Sequence, residues 1–122
     1  MSFLCLNCRG LGSDAVVGEL RYLLRTYRPS FLFLSETKMK DTKAQNFMWT
    51  FGYSCSFAVS SVGLSGGLAL FWLHDYKVTL KGYNSHCIDV QISTDKMPTW
   101  RATFVYGEPR RDHRHEFWAL LR

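Results

Sequence analysis

At 122 residues, 47% of them hydrophobic and 16% aromatic, the chain can bury one core of ordinary size, so a single domain over 1–122 is expected. Intrinsic disorder goes with few aromatics, and a bilayer span needs about 20 consecutive apolar residues; the sequence has neither signature and no basic-then-apolar leader, so an intracellular protein without a membrane partner is expected. The net charge of +5 is spread over both halves rather than gathered in a tail, which suits weak binding of an anionic partner such as DNA or RNA. Four cysteines, at 5, 8, 55 and 87, are read as reduced thiols because no secretory signal precedes them.

Ser2 to Leu6 is a short apolar run that ends in Asn7-Cys8-Arg9-Gly10-Leu11-Gly12, a buried strand running into a loop. Ser13 can cap a helix over about 13–28, with Asp14 in its first turn and Val16, Leu20, Leu23, Leu24 and Tyr27 on one face; Pro29 stops it. Phe31 to Leu34 is a second apolar run, ending abruptly in Ser35-Glu36-Thr37-Lys38. Two strands joined through one helix are almost always parallel with a right-handed crossover. Asn7 and Glu36, each just past a strand, are thereby expected at the same carboxyl edge of one sheet, where α/β proteins generally place their sites.

Asp41 can cap a second helix through about Phe51, with Gly52 as its stop. Tyr53 to Ser60, Gly67 to Leu73, Lys77 to Tyr83, Cys87 to Ser93 and Trp100 to Tyr106 then read as strands of an antiparallel meander. Ile88, Val90 and Ile92 alternate with Asp89, Gln91 and Ser93, and Trp100, Ala102 and Phe104 repeat the pattern. After Gly107-Glu108-Pro109 and a stretch rich in Arg and His, the run Phe117, Trp118, Leu120 and Leu121 reads as the start of another helix.

Asn7, Glu36 and Tyr106 form the strongest constellation. A carboxylate at a strand end is a hard oxygen ligand for Mg²⁺, a carboxamide can orient it or a phosphate, and a phenol can donate a hydrogen bond to the same phosphate. The lone Cys5-Leu6-Asn7-Cys8 lacks the second ligand pair of a zinc site. Gly63-Leu64-Ser65-Gly66-Gly67 lacks the Lys and Ser/Thr of a P-loop and reads as a turn, and the charged stretch at 110–116 reads as a solvated face.

Four strings in order, Leu6-Asn7-Cys8-Arg9-Gly10-Leu11-Gly12, Phe33-Leu34-Ser35-Glu36-Thr37-Lys38, Gly66-Gly67-Leu68-Ala69-Leu70-Phe71-Trp72 and Phe104-Val105-Tyr106-Gly107-Glu108-Pro109, resemble the endonuclease/exonuclease/phosphatase superfamily. More narrowly they resemble the endonuclease domain of plant non-LTR (LINE-type) retrotransposons. The resemblance implies a two-sheet α/β sandwich, a strand-helix-strand start with a mixed sheet followed by the antiparallel meander, that hydrolyses phosphodiester bonds with Mg²⁺ or Mn²⁺. It implies that Glu36 is the metal ligand, Asn7 the active-site asparagine, Tyr106 a phosphate-contacting tyrosine, and Arg9 and Gly107 substrate-binding positions. A nuclear location would follow from the same kinship.

The sequence departs from the family at three places. Leu6 replaces the tryptophan usual before the asparagine, and Arg9 stands where DNA-repair relatives carry Asp, as it does in the retrotransposon branch. The family's later Gly-Asp-Phe-Asn and Ser-Asp-His motifs do not occur in residues 1–122, so the expectation is the N-terminal half of such a domain, truncated and inactive alone. An active nicking enzyme in a longer chain and a non-catalytic nucleic-acid-binding module are the alternatives. On this reading the apolar content belongs to a chain whose second sheet is missing, leaving a face open to self-association.

Overall fold

Phenylalanine and leucine alternate through Phe31-Leu32-Phe33-Leu34, and an extended chain turns successive side chains to opposite faces. Such a strand is apolar on both sides and needs a packed layer on each. A computed structural model, which describes residues 1–106 and 118–121, supplies both layers. Strands β1 (Phe3–Asn7) and β2 (Phe31–Ser35) are joined by helix α1 (Asp14–Tyr27) and pair in parallel, with Asn7 opposite Ser35. Two short helices, α2 (Asp41–Gln45) and α3 (Phe47–Phe51), lead to β3 (Cys55–Val59) and β4 (Leu68–Trp72). The remaining strands are β5 (Lys77–Tyr83), β6 (Cys87–Ser93), β7 (Trp100–Val105) and β8 (Trp118–Leu121).

The strands form a five-stranded mixed sheet, ordered β3-β4-β2-β1-β8, and an antiparallel three-stranded sheet, β5-β6-β7. Leu4, Leu32, Leu34 and Phe71 face one side of the first sheet, in a cluster with Leu20 and Leu24 of α1 and Phe51 of α3. Phe3, Phe31, Phe33, Leu68 and Leu70 face the other side, in a cluster with Ile88, Val90, Ile92 and Phe104 of the second sheet. Phe31 is the hub of that interface: its ring lies 5.0 Å from Phe3, 5.2 Å from Tyr76 and 6.4 Å from Phe104.

Helix α1 follows its sequence signals. The Ser13 side chain accepts the Val16 N–H, Asp14 sits in the first turn, and Arg28 closes the helix in the left-handed conformation with its N–H on the Leu24 carbonyl. The β6 alternation also holds, with Ile88, Val90 and Ile92 fully buried.

Four expectations are corrected. The helix expected over 41–51 is two helices meeting at Asn46, though Gly52 does close the second in the left-handed conformation. The meander is divided: β3 and β4 pair antiparallel and β4 pairs antiparallel with β2, so that hairpin belongs to the first sheet. The physical reason is in Leu68-Ala69-Leu70-Phe71, which is buried on both faces as a central strand must be, whereas β6 is buried on alternate residues only. The helix expected from Phe117 is instead a strand at 118–121, antiparallel to β1, and so short an apolar run carries no periodicity to separate the two forms. Finally, the second sheet expected to be missing is present as β5–β7 and covers Phe3, Phe31 and Phe33. Among the described residues no helix is long and apolar enough to cross a membrane.

Candidate active site

Parallel pairing of β1 and β2 ends at Asn7 and Ser35, so the chain leaves both strands at one edge and Glu36 follows at once. The loop at 36–38 is clamped on two sides. From one side the N–H groups of Cys8, Gly10 and Leu11 donate to the carbonyls of Ser35, Glu36 and Thr37 at 3.0, 2.7 and 3.0 Å. From the other, the N–H groups of Thr37 and Lys38 donate to the carbonyls of Gly67 and Gly66 at 3.2 and 2.9 Å. Within this clamp Glu36 and Lys38 both hold φ of 57°, and Arg9 opposite holds 52°. Left-handed backbone costs about 1 kcal/mol or more per non-glycine residue and persists where its surroundings over-determine it. Here the surroundings are five backbone hydrogen bonds.

The clamp presents the Glu36 carboxylate to two donors. Asn7 Nδ2 donates to Glu36 Oε2 at 3.2 Å, while Asn7 Oδ1 accepts the Arg9 N–H at 3.2 Å, so both ends of the carboxamide are fixed. The Tyr106 hydroxyl donates to the same Oε2 from the far sheet. Tyr106 follows β7 directly, and its N–H donates to the His86 carbonyl at 2.7 Å, one rung beyond the last β6–β7 pair. Asn7, Glu36 and Tyr106 are all half-buried, at the mouth of the sandwich where the two sheets meet. The expected trio is thus brought together. Arg9 is exposed beside Asn7, and Gly107 lies outside the described residues, as does the charged stretch at 110–116.

Three features were missed in the sequence. A cavity of about 450 Å³ opens beside the trio, lined by Glu36, Lys38, Val62, Leu64, Ser65, Gly66, Ser85, His86 and Tyr106. His86 stacks its ring on Tyr106 with centroids 6.2 Å apart and planes 9° from parallel. The glycine string, read as a turn, is one, but Gly66 and Gly67 also supply the carbonyls that hold the Glu36 loop. Asn84 ahead of an alternating strand was the available signal for His86: its Oδ1 accepts the N–H groups of His86 and Cys87, an Asx turn that fixes the residue between.

Beneath the trio, Cys8 is buried and its Sγ donates to the Glu36 carbonyl at 3.5 Å. Burial pushes the Cys5 thiol up to about 11 and the Cys8 thiol up to about 12. A raised pKa starves the reactive thiolate, so at pH 8 folded Cys8 is expected to alkylate roughly a thousandfold more slowly than in the urea-unfolded chain. Mass-spectrometric counting of labelled thiols against time checks this, and equal rates in the two states would refute it.

No protein-family model matches the chain, nor does any curated protein. Solved structures do. The AP endonuclease LMAP from Leishmania major superposes with a TM-score of 0.63 at 16% identity, covering 86% of this chain and 39% of that one. A 3'-5' exonuclease (NExo) from Neisseria meningitidis gives 0.54 at 17% identity, covering 87% and 41%. The endonuclease domain of TRAS1, a telomere-specific non-LTR retrotransposon, gives 0.54 at 14% identity, covering 91% and 48%. The chain spans less than half the length of each. What they share with it is the arrangement of a mixed and an antiparallel sheet, and the chain accordingly has the α/β sandwich fold of these nuclease structures.

Proposed function

We propose that the chain is a Mg²⁺- or Mn²⁺-dependent phosphodiesterase-type DNA endonuclease module of the LINE retrotransposon kind, of plant origin, and that residues 1–122 alone do not cut DNA. The observation that carries this reading is the convergence of Asn7 and Tyr106, from two different sheets, on one oxygen of Glu36. Two neutral donors aim that carboxylate without pairing it with a cation. A phosphate at Glu36 then takes the second Asn7 Nδ2–H and draws the Tyr106 hydroxyl proton away from Oε2, and Arg9 and Gly107 contact the flanking strand.

Glu36 is the one carboxylate among the described cavity-lining residues, and the described residues hold no group of three or more His, Cys, Asp or Glu that could cage a metal. That donor set fits Mg²⁺, which commonly keeps its waters and takes one or two protein carboxylates plus substrate phosphates. Glu36 would hold the ion, whose chemistry is to neutralise charge on the phosphoryl oxygens. General acid and base groups contribute typically 10²- to 10⁴-fold, and the motifs that supply them in the family do not occur in residues 1–122. DNA or RNA would bind weakly through the cationic excess, with affinity falling as salt rises.

Supercoiled plasmid incubated with Mg²⁺ and purified residues 1–122 is expected to stay supercoiled. Mn²⁺ binding, read by electron paramagnetic resonance, is expected to be weak and to vanish in Glu36→Ala. Mg²⁺-dependent nicking that Glu36→Ala abolishes would overturn the inactivity, and Mn²⁺ binding indifferent to Glu36→Ala would overturn the metal assignment.

A further inference from the structure

The cavity beside Glu36 has two unlike walls. On one side the turn between β3 and β4 carries Val62 and Leu64, 79% and 87% exposed. On the other, the turn between β5 and β6 carries His86, with Glu36 and Lys38 between them. The imidazole is held from several directions. Asn84 fixes its backbone, the Ser85 hydroxyl lies 3.0 Å from His86 Nδ1, and the ring rests parallel to Tyr106. An exposed histidine needs none of these restraints for solubility. Together they make a flat ring, already oriented, at the rim of an open cavity beside a cationic side chain.

A flat, pre-oriented ring is the partner a planar heterocycle stacks on, and orienting it in advance removes most of the rotamer entropy that binding would otherwise cost. The exposed Leu64 and Val62 offer an apolar surface across the cavity, and Lys38 offers an anion a counter-charge. Apolar, flat and cationic elements around one cavity match a nucleotide. A base inside a duplex has both faces covered by its neighbours, so the nucleotide that can use this ring is unpaired.

We infer that the cavity is a subsite for one unpaired nucleotide flanking the bound phosphodiester, with its base stacked on His86 opposite Leu64 and its phosphate toward Lys38. The subsite rests on the phosphodiester reading of Glu36, Asn7 and Tyr106. Its division of labour is specific: Lys38 acts on any strand, His86 only on a strand that has bases.

Fluorescence anisotropy of residues 1–122 with two labelled single strands of equal length and charge tests it, one oligodeoxyadenylate and the other built of abasic deoxyribose phosphates. His86→Ala is expected to weaken oligodeoxyadenylate binding about 5- to 100-fold, the range found for losing one base–aromatic stack, and to leave the abasic strand unaffected. His86→Phe, which keeps a flat ring, is expected to stay near the parent, and Lys38→Ala to weaken both strands alike. Should His86→Ala prove poorly folded by proton NMR, Leu64→Ala on the exposed turn carries the test with the same strand preference. Equal losses on both strands, or none on oligodeoxyadenylate, would overturn the subsite and leave the phosphodiester site standing. If the parent chain binds neither strand, the phosphodiester reading falls and takes the subsite with it.

Discussion

Gly67→Ala is expected to lower stability by about 3 kcal/mol, the sum of an overpacked contact and a left-handed backbone that alanine tolerates poorly. Gly67 holds φ of 97°, and a methyl added there would run into the Thr37 hydroxyl and lie 3.2 Å from the Lys38 nitrogen. The urea midpoint should fall by about 2 M, taking a slope near 1.5 kcal/mol per M for a chain this size. Loss of the site should accompany loss of stability, because the Gly66 and Gly67 carbonyls hold the loop that presents Glu36. Thr37 makes the effect separable. Its hydroxyl is buried and has no hydrogen-bond partner among the described residues, so Thr37→Ala by itself removes an unsatisfied group. Combined with Gly67→Ala it should recover part of the loss, since the obstructing oxygen is gone while the backbone strain remains. An unchanged midpoint in Gly67→Ala, or a strictly additive double variant, would contradict the packing described.

Phe31→Ala should cost about 3 to 5 kcal/mol, the range for truncating a fully buried aromatic residue. Phe31 is fully buried and touches rings from both sheets, so the void would open in the seam that joins them. Neighbouring Leu32 faces the helices and lies in the other cluster. Leu32→Ala should cost about 2 to 5 kcal/mol without disturbing that seam. The two variants therefore differ in what loosens first: Phe31→Ala should reduce hydrogen-exchange protection throughout β5–β7 before β1 and β2, and Leu32→Ala should do so in α1. Equal protection of β5–β7 in the two variants would show that Phe31 does not tie the sheets.

The first half of the fold could be read from sequence because its signals are local. Ser13, Pro29 and two short apolar runs suffice for strand, helix and strand, and the crossover rule then carries Asn7 and Glu36 to one edge. Alternation in β6 told which residues face inward but not which sheet they face, since face and neighbour are separate facts. The doubly buried Leu68-Ala69-Leu70-Phe71 held the missing information, and its continuous apolarity marks a central strand. At the site, Glu36 and Asn7 were legible as strand-end polar groups. Tyr106 was named with them for its chemistry, but it meets Glu36 across seventy residues, and no local pattern reports the meeting itself. His86 escaped notice because its role depends on a ring it meets only after β6 and β7 have paired.

The candidate site draws Asn7 and Glu36 from one sheet and Tyr106 from the other. Anything that needs all three binds only when the sheets are closed on each other, so occupancy and closure are thermodynamically linked. A ligand there would act as a clasp at one end of the sandwich, while the aromatic seam around Phe31 acts as a hinge pin further in. Mutations that slacken the seam would then weaken binding without touching a ligand contact, and a bound phosphodiester would raise the melting temperature of the whole sandwich.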